Sequence, residues 1–319
     1  YYYEWYDWYS RGYSPLSAEI FNARRAIDYL VTRPELDPQR IGATGISGGG
    51  VCTFFLAATD PRVKAAAPVS GECSTLGHIE GRLAVQHCDC MYSVNGAGLM
   101  FSEIGALMAP RAMLMCNATA DPLYPMPYFN QLVDKMRVVY KLYTASDSLN
   151  TATAPGGHAD SETIRLPVYE FFLREFLGSK EKITSHGAVD TLPDAELLCM
   201  RDGYPLDERL TRVHEEFMPK RGGTVPRQWS AEARQARCAE VINQLRERVF
   251  AALPQDAPAP ELSRAADGAL WGRRLEKADY QALPGVTVRA SLSLPEKAAP
   301  GSRMPAVLLP DDRFPSAAS

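Results

Sequence analysis

The chain has 319 residues, 46% hydrophobic and 23% charged, with a net charge of −4. That is about twice an ordinary domain length, so two modules are expected, and the composition excludes collagen-like, disulfide-dense and fully disordered classes. The acidic balance argues against a nucleic-acid-binding surface covering the protein, and no run reaches the ~18 apolar residues of a membrane span.

Residues 1 to 13 are rich in Tyr and Trp, among them Trp5, Trp8 and Tyr13. They read as a packed loop, with a carbohydrate-stacking platform as the functional alternative. Ser14-Pro15 opens a helix whose apolar stripe is Ile20, Ile27, Leu30 and Val31, and which stops at Arg33-Pro34. A strand over 40–46 runs into Ser47-Gly48-Gly49-Gly50, with a helix over 51–58 behind it. Strands over 63–69 and 111–116 follow, then helices over 126–143 and 164–176, the last with Asp160 as its N-cap. Alternating strands and helices predict a mostly parallel sheet covered on both faces.

Beyond Gly178 the sequence turns polar, with a short helix expected over 206–217 and a long one over 230–253 carrying Val241, Leu245 and Val249. Residues 254–260 are a linker by composition. Val286 to Leu294 alternate as a half-buried strand, and 306–309 is a second, shorter one. Seven scattered cysteines form no disulfide framework, and Cys52 and Cys116 read as small core residues.

The strongest chemical signal is Gly45-Ile46-Ser47-Gly48-Gly49, a G-x-S-x-G between a strand and a helix. A serine on so sharp a turn needs small neighbours, here Gly45 and Gly49, and the Gly48 N–H points at a developing oxyanion. Such a nucleophile needs a base and a carboxylate that orients it. Asp121 follows an apolar strand in a loop, and His158 lies in Pro155-Gly156-Gly157-His158 before the last helix. Ser, Asp, His is the chain order of an α/β-hydrolase. His78, His186 and His214 suggest no partners. A metal at His87-Cys88-Asp89-Cys90 is disfavoured, because four consecutive donors cannot all turn to one tetrahedral ion. No metal and no cofactor are expected.

Ser10-Arg11-Gly12-Tyr13-Ser14-Pro15, the run from Arg33 to Gly42, the elbow, His87-Cys88-Asp89-Cys90-Met91 and the Pro-Gly-Gly-His loop together resemble acetyl xylan esterase-like α/β-hydrolases. These are related to the dienelactone hydrolase and prolyl oligopeptidase groups. The resemblance covers about residues 9 to 178. It implies Ser47 as nucleophile, His158 as general base, Asp121 as its orienting acid and Gly48 as oxyanion donor. It further implies hydrolysis of carboxylic esters, short acyl groups on carbohydrate, without a cofactor, in a secreted or periplasmic parent protein. A serine peptidase of prolyl oligopeptidase type and a catalytically silent module are the alternatives.

Such hydrolases carry several strands and a second oxyanion donor ahead of the elbow, whereas 46 residues precede Ser47 here. The expectation is therefore an α/β-hydrolase fold lacking its N-terminal strands over 1–178, a linker with a helical segment over 179–284, and the start of a second module over 285–319. The rest of a parent polypeptide is the expected partner, with no nucleic acid and no membrane span.

Overall fold

The computed structural model describes residues 8–9, 11–83, 98–188, 190–198, 200–207, 209, 228–250, 259–297, 305 and 307. The first seven aromatic-rich residues, the His87–Met91 motif, His214, and most of the helix expected over 206–217 and of the strand expected over 306–309 lie outside them. The chain divides into two compact units, Tyr1–Thr224 and Val225–Ser319.

In the first unit, helix α1 (Pro15–Leu30) starts where Ser14 accepts a hydrogen bond from the Ser17 N–H, with Pro15 in the first turn. It meets the core through Leu16, Ile20, Ala23 and Ile27. The expected stripe is corrected at its end: Leu30 and Val31 are 37% and 38% exposed, because the last turn has run past that core cluster. Strand β1 (Ile41–Ile46), helix α2 (Gly48–Thr59), strand β2 (Val63–Val69) and strand β3 (Ala112–Ala118) fall where the apolar runs predict them. Helix α5 (Met126–Leu142) and helix α6 (Glu162–Leu177) do as well. Two short helices, α3 (Thr75–Glu80) and α4 (Phe101–Ala106), and strand β4 (Leu149–Ala154) were not evident from periodicity.

The four strands pair in parallel in the order β1-β2-β3-β4. Register aligns Ile46 with Val69, Val69 with Cys116, and Ala118 with Ala154, so the C-terminal ends lie along one sheet edge. After a register shift that skips Lys64, successive side chains of β2 from Ala65 to Ala67 face opposite ways. Val63 and Ala66 enter a large cluster with Phe54, Phe129 and Met136 from α2 and α5, while Ala65, Ala67 and Val69 meet Ile164, Val168 and Phe171 of α6. Both faces are covered, as a parallel sheet requires. Among the described residues β1 is a terminal strand.

Charge fastens the lower end of β2. The Arg62 guanidinium donates to Asp60 Oδ2 at 2.5 Å and to Asp28 Oδ1 at 2.6 Å, tying α1 to the β2 turn. Arg111 donates to the carbonyls of Ala57, Asp60 and Val63, satisfying helix-end and strand-end acceptors that side chains would otherwise bury. Asp160 does not cap α6: Ser161 occupies the N-cap, and the Asp160 carboxylate sits 3.9 Å from Arg165 instead. A one-turn helix, α7 (Asp194–Leu197), lies further along.

In the second unit, helix α8 (Ala231–Arg248) is capped by Ser230, which accepts from the Ala233 N–H. It is shorter than the predicted 230–253, and Val241 and Leu245 are exposed. Residues 262–283, read as linker and helical segment, form strands β5 (Leu262–Leu270) and β6 (Arg273–Leu283). With β7 (Val286–Pro295) they make an antiparallel sheet in the order β5-β6-β7. The β5–β6 turn carries positive φ at both Trp271 and Gly272, a twist that suits a two-residue hairpin. Ala- and Arg-rich strands offer little alternation, which is why composition hid them. The predicted half-burial of β7 is only partly realised, since Val286 is 47% exposed.

Candidate active site

Ser47 sits between β1 and α2 with φ 58° and ψ −122°, a conformation that costs an L-residue on the order of 1–3 kcal/mol. The surroundings hold it there. Its N–H donates to the Val69 carbonyl at 3.0 Å, and its own carbonyl accepts from Val51 at 2.9 Å. A Cβ on Gly45 would lie 2.7 Å from the Gly49 backbone, so Gly45 must be glycine. Gly49 is different: a Cβ there would meet nothing within 4 Å. The second tight approach is one residue on, where a Cβ on Gly50 would lie 2.5 Å from the Val69 carbonyl and one on Gly71 2.4 Å from Gly50. The motif therefore marks the turn correctly, but its steric demand falls on Gly45, Gly50 and Gly71. Because α2 begins at Gly48, its first N–H groups have no intrahelical acceptor and face the serine with the positive end of the helix dipole.

Asp121 and His158 come together because β3 and β4 stay stitched beyond their ends. Thr119 donates to Ala154 and Ala120 to Gly156, each at 2.9 Å, and Gly156 supplies the positive φ that the turn requires. His158 Nδ1 then lies 2.8 Å from Asp121 Oδ2. The other carboxylate oxygen, Oδ1, accepts the N–H groups of Leu123 at 2.9 Å and Tyr124 at 3.3 Å. Asp121 is thus both the turn former its Pro122 neighbour suggests and the histidine's partner. Its side chain is fully buried, whereas that of His158 is 23% exposed. Buried Tyr124 packs its ring 6.0 Å from the imidazole, and Asn117 holds the Tyr124 carbonyl at 2.7 Å.

Ser47, half-buried at the end of β1, shares the sheet edge from which the Asp121 and His158 loops leave. Among the described residues, no hydrogen bond joins its Oγ to His158; the structure forms the Asp–His pair but not the Ser–His one. A groove of about 430 Å³ lined by Leu30, Leu36, Ile41 and Phe176 opens at the start of β1, the opposite end from these loops.

Residues 9–89, which contain the elbow, match the dienelactone hydrolase family model. The parallel four-stranded sheet of the first unit, with helices on both faces, has the α/β-hydrolase fold. The hydrolase of Bacillus subtilis (strain 168) described as putative hydrolase YtaP is 29% identical over 157 residues, 48% of this chain and 51% of that protein. The chain thus spans about half the length of the curated relative it matches. Among solved structures, Methylesterase BT1017 aligns at 28% identity with a TM-score of 0.42, covering 51% of this chain and 36% of that one. A glucuronoyl esterase from Sporotrichum thermophile aligns at 18% identity and a TM-score of 0.45, covering 56% of each chain. Among the described residues, no helix is long and apolar enough to cross a membrane.

The other predicted positions fall as follows. Cys116 is buried and its thiol is pushed up to about 12 by burial, consistent with a core residue, while Cys52 is half-buried. His186 is a surface residue whose Nδ1 donates to the Gly187 carbonyl at 2.8 Å. His78, expected to lack a partner, is corrected: it is buried, with Nε2 2.7 Å from Glu72 Oε1 and 3.5 Å from Cys73 Sγ. Sequence reasoning passed over Glu72 and Cys73 as well. The available signal was their place just after β2, the same sheet edge on which Ser47, Asp121 and His158 were sought.

Proposed function

We propose that this hydrolase domain cleaves carboxylic esters through an acyl-enzyme on Ser47, with short acyl esters of carbohydrate as its substrates. The carrying observation is the 2.8 Å contact between His158 Nδ1 and the buried Asp121 carboxylate, at the same sheet edge as a serine held on a strained elbow. With Nδ1 committed to Asp121, Nε2 is the nitrogen left to take a proton. Ser47 Oγ attacks the ester carbonyl carbon and gives its proton to His158 Nε2. The developing oxyanion is met by the Gly48 N–H at the start of α2. The alcohol leaves with that proton, and water, deprotonated by the same imidazole, releases the acid. The Ser–His hydrogen bond forms as substrate fills the site, as catalytic contacts commonly tighten only in the complex. The carbohydrate ester reading draws on the acetyl xylan esterase resemblance.

Fluorophosphonate labelling followed by peptide mass spectrometry tests this on the wild-type chain and on Ser47→Ala, both shown folded by circular dichroism. An adduct on the Ser47 peptide, absent from the variant, is the expected result. A folded wild-type chain that stays unlabelled, or an adduct elsewhere that survives in Ser47→Ala, overturns it. Acetyl esters should then be cleaved faster than butyryl esters, since a small pocket discriminates by about 1–3 kcal/mol per methylene.

A further inference from the structure

We propose that Glu72, Cys73 and His78 form a binding site for one divalent metal ion of the zinc type, ligated by Glu72 Oε1, Cys73 Sγ and His78 Nε2. The three side chains are all buried, and their donor atoms lie within 4.8 Å of one another. Two sit on the turn that leaves β2, and the third projects from the first turns of α3, so a short connection brings them together without a long loop.

The geometry suits a tetrahedral ion. Bonds of about 2.3 Å to sulfur and about 2.0–2.1 Å to nitrogen place those two ligands roughly 3.6 Å apart. Cys73 Sγ and His78 Nε2 are 3.5 Å apart. The 2.7 Å separation of His78 Nε2 from Glu72 Oε1 is that of a proton-bridged pair. It needs to open by about half an ångström when a metal replaces the proton. A thiolate, an imidazole and a carboxylate select a borderline-soft ion over calcium or magnesium.

The ion takes the place of the proton held between His78 Nε2 and Glu72 Oε1 and of the Cys73 thiol proton, since metal ligands bind deprotonated. The surroundings also support ligand orientation, because the Cys73 N–H donates to Glu72 Oε1 at 3.0 Å and Phe101 packs edge-on against the His78 ring at 5.2 Å.

Cobalt(II) titration of the full chain tests the site, since cobalt takes zinc's geometry and reports on its ligands by absorbance. The expected result is a thiolate-to-cobalt charge-transfer band with visible bands of tetrahedral intensity, saturating at one ion per chain and releasing two protons. That band should vanish in Cys73→Ser and persist in Cys238→Ser and in Ser47→Ala. Glu72→Gln keeps the side chain's volume and its hydrogen bond to His78, so it separates folding from ligation. It should fold and bind at least about tenfold more weakly. A folded wild-type chain that takes up no cobalt, or a band that survives in Cys73→Ser, overturns the proposal and leaves the cluster as hydrogen bonding alone. None of these readouts requires esterase activity.

Discussion

The two units hold their sheets together by different means. In the first, every residue of β2 but Lys64 is buried, and each face of the sheet meets helices. In the second, β5 has no buried residue, and only Leu275 and Ala278 of β6 are buried among the described hydrophobics. What the second sheet has instead is a row of cross-strand ion pairs: Arg264 with Glu276, Lys277 with Asp267, and Arg289 with Asp279. Hydrophobic burial contributes about 25 cal/mol per Å², whereas exposed ion pairs contribute little. The first unit can therefore carry strain at Ser47 and a buried polar pair at its site; the second has no comparable reserve.

Substitutions can break that contrast. Phe171→Ala empties the α6 face of the first sheet, where the ring is fully buried, and should destabilise that unit by about 3–5 kcal/mol. Peptide-resolved hydrogen exchange should show β2 and β3 losing protection while β5 to β7 keep theirs. The matched change in the second unit, Leu275→Ala, should cost about 2–3 kcal/mol and unprotect that sheet alone. Equal loss of protection in both units from either variant would show that they do not unfold separately.

Asp60 offers a smaller, pH-tuned test. Its hydrogen bond from Arg62 holds the carboxyl below the usual carboxylate range, with burial opposing. A folded-state value below the unfolded one means that this stability is fully present above the unfolded pKa of about 3.9 and is lost as pH falls through the folded value. Asp60→Asn should thus destabilise the first unit by roughly 1–3 kcal/mol at pH 7. Urea midpoints of variant and wild type should converge below about pH 4. At the bottom of the scale, Arg289→Ala removes an exposed pair, with 70% of the Arg289 side chain accessible, and should leave hydrogen exchange of β6 and β7 unchanged in 0.5 M salt. A clear loss there would mean the ion-pair ladder carries more of the second sheet than its exposure implies.

Legibility followed burial as well. β2 and β3 were readable because apolar residues crowd them, as were α2 and α5, whereas β1, with no buried residue, was readable from its run into the Ser47 elbow. β4, Leu-Asn-Thr-Ala-Thr-Ala, was not: only Leu149 and Ala154 are buried, and the strand exists because β3 offers it a complete parallel ladder. Asp160 looked like a helix cap by residue type, yet the extended backbone of Ser161 ends the loop one residue later. The β5–β6 hairpin was hidden for a related reason, since Trp271-Gly272 is not the usual Asn-Gly turn pair and its strands lack apolar alternation.

The linear sequence by itself determined the elbow, the chain order Ser47, Asp121, His158 and the alternation that builds a parallel sheet, because local sterics and periodicity act over a few residues. Only the tertiary structure decided that His158 reaches Asp121, that Gly71 rather than Gly49 limits the elbow, and that Glu72, Cys73 and His78 meet in one buried cluster. Those outcomes depend on strand register and on which loops leave the same sheet edge. Such long-range pairings arise when separate segments bury a common surface, and no short stretch of residues specifies them alone.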